Sequence, residues 1–118
     1  MNVVVGIDGS DDSFAVFERA VTRARETGDD LTVALVESTL DDATVVARRV
    51  RETLGETGLD AAIQHVAGDG ELVELADREG FDRLVVSGGE RTPTGKLSFS
   101  RTTEFVLMNA DTSVTLAR

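Results

Sequence analysis

The sequence has 118 residues, of which 41% are hydrophobic and 29% charged, a composition typical of one folded domain with its own core. It contains no cysteine and one histidine, which excludes disulfide frameworks, thiolate zinc sites, cysteine nucleophiles and metal sites built from two or three histidines. Because 22 acidic residues face 12 basic ones, the formal net charge is −10, which argues against nucleic-acid binding.

The sequence also bears on the compartment. No apolar run approaches the ~20 residues that a membrane-spanning helix needs, and residues 1–6 lack the basic flank of a signal peptide. We therefore expect one cytoplasmic domain over residues 1–118, with no membrane partner. Lys96 is the one lysine in the chain, and an acidic surface with arginine in place of lysine predicts adaptation to a salt-rich cytoplasm. The alternative is an acidic protein from an ordinary cytoplasm.

Strand and helix patterns alternate along the chain. Apolar and β-branched runs predict five strands, at residues 3–7, 31–36, 61–67, 84–87 and 113–117. Apolar residues at helical spacing predict four helices, around residues 14–24, 43–54, 69–79 and 101–109. Residues 8–13 form a turn that offers helix caps, and Gly28 and Gly80 fit helix ends.

The second helix has its own boundary signals. Asp41 and Asp42 are candidates to open it, and Gly55 and Gly58 to end it. Its expected apolar face consists of Ala43, Ala47, Val50 and Leu54.

This alternation predicts an α/β fold in three layers, with a five-stranded parallel sheet between two helix layers. In the strand order 3-2-1-4-5, strands 1 and 4 are neighbours. The turn at residues 8–13 and the loop at residues 88–100 would then face each other across one crevice. Ligands of open parallel sheets bind in such crevices, beyond the carboxyl ends of the strands.

The loop after strand 4 is the most informative stretch. Residues 88–103 hold three basic residues and one acidic residue, together with glycines, threonines and serines. Backbone amides, hydroxyls and a helix N-terminus suit a phosphate group, whereas the alternative is a polar surface loop. Gly95-Lys96 resembles part of a Walker A loop, but Glu90 and Leu97 stand where that motif requires glycine and a hydroxyl residue, so we reject it.

Other polar residues are weaker candidates. Asp8 ends strand 1 and suits a ribose or an adenine edge, although a turn carboxylate is the commoner use of aspartate there. His65 on strand 3 is expected to be a sheet or surface residue. The basic run at residues 48–51 is expected to be a solvated helix face. No catalytic motif is present, so we expect a protein that is not an enzyme.

Over its whole length the chain resembles the universal stress protein family, and four segments carry the resemblance. The opening strand with Asp8-Gly9-Ser10 is similar to that family's first strand and turn. Gly68-Asp69, residues 81–88 and residues 103–110 are similar to its third helix start, fourth strand and last helix. The resemblance implies a flavodoxin-like, Rossmann-like fold of the adenine nucleotide alpha hydrolase type. It also implies a homodimer in which the fifth strands of two subunits pair.

The resemblance further implies a nucleotide site, with Asp8 and the Val36 backbone at the adenosine and with Ser87 and Gly88 under the ribose and phosphates. Ser100, Arg101 and Thr102 fall at the phosphates. The full set of candidate residues is Asp8, Gly9, Val36, Ser87, Gly88, Gly89, Gly95, Lys96, Ser100, Arg101 and Thr102.

The loop departs from the family's ATP-binding pattern, Gly-x2-Gly-x9-Gly-[Ser/Thr]. Ser100 and Arg101 replace the final pair, and a Cβ at residue 100 hinders close approach of a phosphate. Lys96, Arg101 and Arg91 supply positive charge instead. We therefore predict ATP binding, with Mg²⁺, as the first hypothesis. The second is a stress-response dimer that binds no nucleotide and acts through protein contacts, and the third is a weak ATPase or phosphotransferase.

Overall fold

The computed structural model describes residues 1–37, 43–91 and 93–117. The strands are β1 (Asn2–Ile7), β2 (Asp30–Val36), β3 (Ala62–Val66), β4 (Arg83–Ser87), β5 (Glu90–Arg91), β6 (Leu97–Ser98) and β7 (Val114–Ala117). The helices are α1 (Asp11–Thr27), α2 (Ala43–Thr57), α3 (Asp69–Arg78) and α4 (Arg101–Asn109).

Five strands form one parallel sheet in the order β3-β2-β1-β4-β7. This order confirms the predicted arrangement, with β7 as the fifth strand of the sheet. Val5 of β1 pairs with Val33 of β2 on one side and with Val85 of β4 on the other. The loop after β4 contains an antiparallel ribbon of β5 and β6 that the sequence patterns did not predict.

Helices cover the two faces of the sheet. Successive residues of a strand point to opposite faces, and β1 follows this rule: Val3, Val5 and Ile7 pack with α1 and α2, whereas Val4 packs with α3 and α4. Gly6 also faces α3, because a Cβ on it would lie 2.8 Å from Leu72 Cδ2. β1 is therefore buried on both faces, as its continuous apolar run predicted.

Helix α1 ends at Gly28 as predicted, but it begins at Asp11, inside the stretch that was expected to be a turn. Ser10 is the N-cap, and its hydroxyl accepts a hydrogen bond from the Ser13 N–H at 3.2 Å. Gly28 ends the helix with φ of 77°, a left-handed conformation that favours glycine.

Helix α2 differs from the prediction in two ways. Gly55 lies inside the helix, and the chain leaves the helix at Gly58, whose φ is 70°. Ala43 is exposed, and Val46 takes its predicted place on the buried face because it packs toward the sheet with Ala47 and Val50. The predicted opening residues, Asp41 and Asp42, lie outside the described residues.

Candidate functional site

The candidate site lies at the carboxyl edge of the sheet, where three central strands end side by side. Asp8 follows β1, Val36 ends β2 and Ser87 ends β4. The register makes β2 and β4 the two neighbours of β1. The structure therefore brings together the two loops that the sequence placed across one crevice.

Asp8 is part of the turn that leads into α1. Its Oδ1 accepts a hydrogen bond from the Ser10 N–H at 2.9 Å, and Gly9 between them has φ of 91°. This is the Asx-type turn that the more conservative interpretation of Asp8 predicted. The side chain is half-buried, and in the described part of the chain its other oxygen has no hydrogen bond.

A small pocket adjoins Asp8, with a volume of about 20 Å³. Its lining residues come from the ends of β1, β2 and β3 and from α2: Asp8, Leu35, Val36, Glu37, Ala43, Val46 and His65. The Val36 side chain is buried in the core on the α3 and α4 side, so its backbone is the part left to face the pocket. This volume holds about one water molecule, so a larger ligand requires the pocket to widen.

Of the lining residues, sequence reasoning named Asp8 and Val36 as site residues and missed two polar ones, Glu37 and His65. Glu37 directly follows β2, and its position at a strand end was the available signal. His65 is exposed, as expected for a surface residue of β3, but it lies at the pocket rim. Residues 38–42 connect Glu37 to Ala43 and lie outside the described residues.

Ser87 is the last residue of β4, and Gly88 and Gly89 follow it. The Gly88 N–H donates to the Ala117 carbonyl oxygen at 2.6 Å, so this amide belongs to the pairing with β7. The Ser87 hydroxyl oxygen accepts from the Gly89 N–H at 3.4 Å. Gly89 has φ of 82°, and a Cβ there would stand 2.5 Å from the Ser98 carbonyl oxygen. Glycine at residue 89 is thus required by the contact with β6.

The start of α4 lies against the end of β4. Ser100 is the N-cap, and its hydroxyl accepts from the Thr103 N–H at 3.2 Å and donates to Thr103 Oγ1 at 3.1 Å. The buried Thr103 hydroxyl in turn donates to the Ser87 carbonyl oxygen at 2.9 Å. Ser100 stands at the first position of the pair that contacts phosphate in the family's ATP-binding pattern. Its hydroxyl is therefore engaged in capping α4.

Thr102 joins the N-termini of two helices. Its hydroxyl donates to Asp69 Oδ1 at 2.6 Å, and Asp69 is the first residue of α3. Glu71 of the same turn accepts from the Ala67 N–H at 2.7 Å. The Asp69 carboxylate thus lies where the first turns of α3 and α4 meet.

The cationic candidates lie on the outer side of this region. Gly95 and Lys96 are exposed, and Gly95 has φ of 82°, with open space where an added Cβ would lie. Arg101 is exposed at the first turn of α4, and across the described ranges it forms no ion pair. The side chain of Arg91 lies outside the described part of the chain.

A larger groove lies elsewhere, with a volume of about 900 Å³. It runs between α1 and the face of β4 and β7 on the same side of the sheet, with Arg23, Arg83 and Thr115 among its lining residues. It is an open surface that contains none of the candidate residues. We therefore place the candidate site at the smaller pocket and the adjoining start of α4.

The fold and the position of the crevice define a class: a doubly wound, flavodoxin-like α/β protein with polar loops at the carboxyl ends of its central strands. A sequence profile described as "Universal stress protein family" matches residues 1–67. No curated protein sequence matches the chain significantly.

Solved structures agree with this class. One, a universal stress protein in complex with cAMP, is 30% identical with a TM-score of 0.77, over 100% of this chain and 96% of that one. The universal stress protein UspA from Lactobacillus plantarum is 19% identical, with a TM-score of 0.78, over 100% and 97% of the two chains. A universal stress protein from Archaeoglobus fulgidus in complex with dAMP is 21% identical, with a TM-score of 0.68, over 98% and 96%.

The chain belongs to the universal stress protein family. Within the described residues, no helix is long and apolar enough to cross a membrane.

Proposed function

We propose that this chain is a cytoplasmic stress-response protein that binds an adenine nucleotide in the crevice between the ends of β1, β2 and β4. The observation that carries the proposal is the meeting of Asp8, the Val36 backbone and Ser87 at one edge of the sheet. A half-buried carboxylate oxygen with no hydrogen bond in the described structure suits a ribose hydroxyl or an amino group of a base.

The roles proposed for the residues follow the two halves of the site. The base enters the pocket beside Asp8 and His65, and the pocket widens to admit the base. The ribose lies over Ser87 and Gly88, with Gly9 and Gly89 shaping the two turns. Arg101 and Lys96, with Gly95 in the same loop, supply positive charge near the phosphate end.

The comparisons support this proposal. The 30% identical structure is a complex with cAMP, and the dAMP complex comes from a more distant member of the same fold. Both ligands carry an adenine base. The sequence favoured ATP with Mg²⁺ as the ligand. We propose binding of the nucleotide without its hydrolysis. ATP hydrolysis above a protein-free blank would instead support the weak ATPase hypothesis.

The test is calorimetric titration of dAMP, cAMP, and ATP with Mg²⁺ into the purified protein in high potassium chloride. The proposal predicts saturable binding of at least one of them, lost or weakened at least tenfold in Asp8→Ala. Asp82→Ala is the matched control, because Asp82 also accepts from a backbone N–H, that of Asn2 at 2.7 Å, at the opposite edge of the sheet. Each variant loses one hydrogen bond from a backbone N–H to a carboxylate. An equal fall in nucleotide affinity in the two variants overturns the proposal. Absence of nucleotide binding by the wild-type protein also overturns it.

A second proposal concerns assembly: two copies pair through β7. The observation that favours it is the difference between the two sheet edges. β7 is paired on one side, by β4, and its residue Leu116 is 41% exposed. The other edge strand, β3, carries Gln64 and His65. An apolar strand edge tends to pair with another strand.

Light scattering in high salt tests this assembly. A dimer that dissociates in Leu116→Glu, and persists when the polar edge is changed by Gln64→Glu, supports pairing through β7. A monomeric wild-type protein contradicts it. A dimer with no bound nucleotide would favour the alternative in which the protein acts through protein contacts alone.

A further inference from the structure

We infer that the Glu37 carboxylate selects the base of the nucleotide, by accepting a hydrogen bond from the amino group of adenine. The inference rests on the proposed nucleotide site and assigns a specificity-determining residue within it. Glu37 was not among the candidate residues that the sequence identified. Three features of the pocket beside Asp8 support this role: the direction of the Glu37 side chain, its height on the sheet, and the chemistry of the pocket wall.

The direction of the Glu37 side chain follows from the path of β2. Successive residues of a strand face opposite sides of the sheet. Leu35 packs with α1 and α2, whereas Val36 packs on the α3 and α4 side. The Glu37 N–H donates to the Val66 carbonyl oxygen at 3.0 Å, so the pairing of β2 with β3 continues through Glu37. The Glu37 side chain therefore lies on the same side of the sheet as Leu35, where the pocket beside Asp8 is found.

Glu37 also stands at the mouth of this pocket. Ile7, Leu35 and His65 pair with one another in a single row across β1, β2 and β3. Asp8 lies one residue beyond that row and Glu37 two residues, which places the exposed Glu37 about 7 Å closer than His65 to the carboxyl edge. A base that enters from the carboxyl edge therefore meets Glu37 before it meets His65.

The pocket wall combines an apolar side with carboxylates. Ala43 and Val46 of α2 supply apolar surface, and a few polar groups on an apolar wall are typical of small-molecule sites. Neither lysine nor arginine is among the described residues that line the pocket. Within the same residues, the Glu37 carboxylate and the second oxygen of Asp8 have no hydrogen bond and no ion pair. The pocket therefore favours the part of a ligand that carries N–H donors, and it disfavours phosphate oxygens.

These properties fix which end of a nucleotide enters the pocket. The phosphates stay outside because the carboxylates repel them. On the adenine base the exocyclic amino group is the hydrogen-bond donor, and the ring nitrogens are acceptors. A carboxylate at the pocket mouth accepts from that amino group, whereas a base without it leaves the carboxylate desolvated and unpaired. A site built around such a hydrogen bond discriminates strongly against the analogue that lacks the donor.

The test measures the coupling between Glu37 and the amino group. AMP and purine riboside 5′-monophosphate, which has a hydrogen atom in place of the amino group, are titrated calorimetrically into wild-type protein and Glu37→Ala. We expect wild-type protein to bind AMP at least about tenfold more tightly than the analogue. We expect Glu37→Ala to reduce this ratio to about threefold or less, chiefly by weakening the binding of AMP. Glu37→Gln keeps an acceptor oxygen and should give an intermediate ratio.

Glu52→Ala is the matched control, because Glu52 is an exposed glutamate of α2 outside the pocket and its removal changes the net charge equally. It should leave the ratio of the two affinities unchanged. Equal binding of AMP and the analogue by wild-type protein overturns the inference and leaves nucleotide binding standing. An unchanged ratio in Glu37→Ala, an equal fall in Glu52→Ala, or a ratio in Glu37→Gln no higher than in Glu37→Ala also overturns it. No binding of either nucleotide by wild-type protein overturns the proposed site, and the inference with it.

Discussion

The Asp77 carboxylate fastens the end of α3 to the turn that precedes β7, through Thr112. Its Oδ1 accepts from the Thr112 hydroxyl at 2.6 Å and from the Thr112 N–H at 3.0 Å, and the Asp111 N–H lies 3.2 Å from the same oxygen. These hydrogen bonds favour the ionised carboxylate. They hold the pKa of Asp77 below its ordinary value of 3.8, with the Thr112 hydroxyl as the largest cause.

The lowered pKa of Asp77 predicts acid sensitivity. A carboxyl group whose pKa is lower in the folded state stabilises that state above its unfolded pKa, and this stabilisation is lost as pH falls through the folded pKa. The free energy of unfolding should therefore decrease as pH falls below about 4, and less steeply in Asp77→Asn. Urea denaturation at several pH values measures how the free energy of unfolding depends on pH in the wild-type protein and in Asp77→Asn. The same pH dependence in both would contradict a stabilising role for the Asp77 carboxylate. The pKa of Asp29 is also lowered, so the free energy of unfolding of Asp77→Asn should still decrease to some extent as pH falls.

Gly89→Ala should destabilise the protein more than Gly95→Ala. Both glycines have φ of 82°, so both variants meet the strain of a left-handed residue, about 1 kcal/mol. Only at residue 89 does the added Cβ also meet the Ser98 backbone, which should bring the total to roughly 2–4 kcal/mol. Chemical denaturation of the two variants measures the difference. Equal losses would show that the ribbon of β5 and β6 moves aside without cost.

Thr103→Val should lower the free energy of unfolding by about 1–3 kcal/mol, because it leaves the Ser87 carbonyl oxygen without its donor. The shape of the buried side chain is conserved, so the loss reports on hydrogen bonding. Thr22→Val is the control, since Thr22 donates to the Glu18 carbonyl oxygen on the exposed side of α1 and should cost about 0.5 kcal/mol or less. Thermal or urea unfolding distinguishes them, and equal values would contradict this role for Thr103.

Salt should stabilise the fold. The chain carries a net charge of −10, and in the part that the structure describes there are two ion pairs, Met1 amine with Asp29 and Arg78 with Glu74. Most acidic side chains therefore repel one another with little local compensation, and added ions screen that repulsion. The melting temperature should rise when potassium chloride increases from about 0.1 M to about 2 M. A melting temperature that stays constant would favour the alternative hypothesis of an acidic protein from an ordinary cytoplasm.

The overall fold was accessible from the sequence because its signals are local. The apolar run of β1, the candidate N-caps at residues 8–13 and the helix end at Gly28 each act within a few residues. The ribbon of β5 and β6 was missed because each strand has two residues, too few for a periodic pattern. Gly55 was mistaken for a helix end because the cost of glycine within a helix is small enough for packing to override it.

The site was harder to predict because its contacts join distant residues. Thr102 and Asp69 are 33 positions apart, and no local spacing connects them. The sequence identified Ser100 as a replacement for glycine, but its role as the N-cap of α4 depends on the path of the chain after β4. Charge predicted an anion site in this loop without indicating that a carboxylate of the protein lies beside it.

The central position of β1 sets the order in which the molecule can be completed during synthesis. Asn2 and Asp82 are 80 positions apart, yet they are joined by two hydrogen bonds at the start of the β1–β4 pair. A growing chain can pair β1 with β2 early, but the other edge of β1 stays open until β4 has left the ribosome. Contacts between such distant residues slow folding. A nascent chain stalled before residue 83 would expose that edge to chaperones or to other copies.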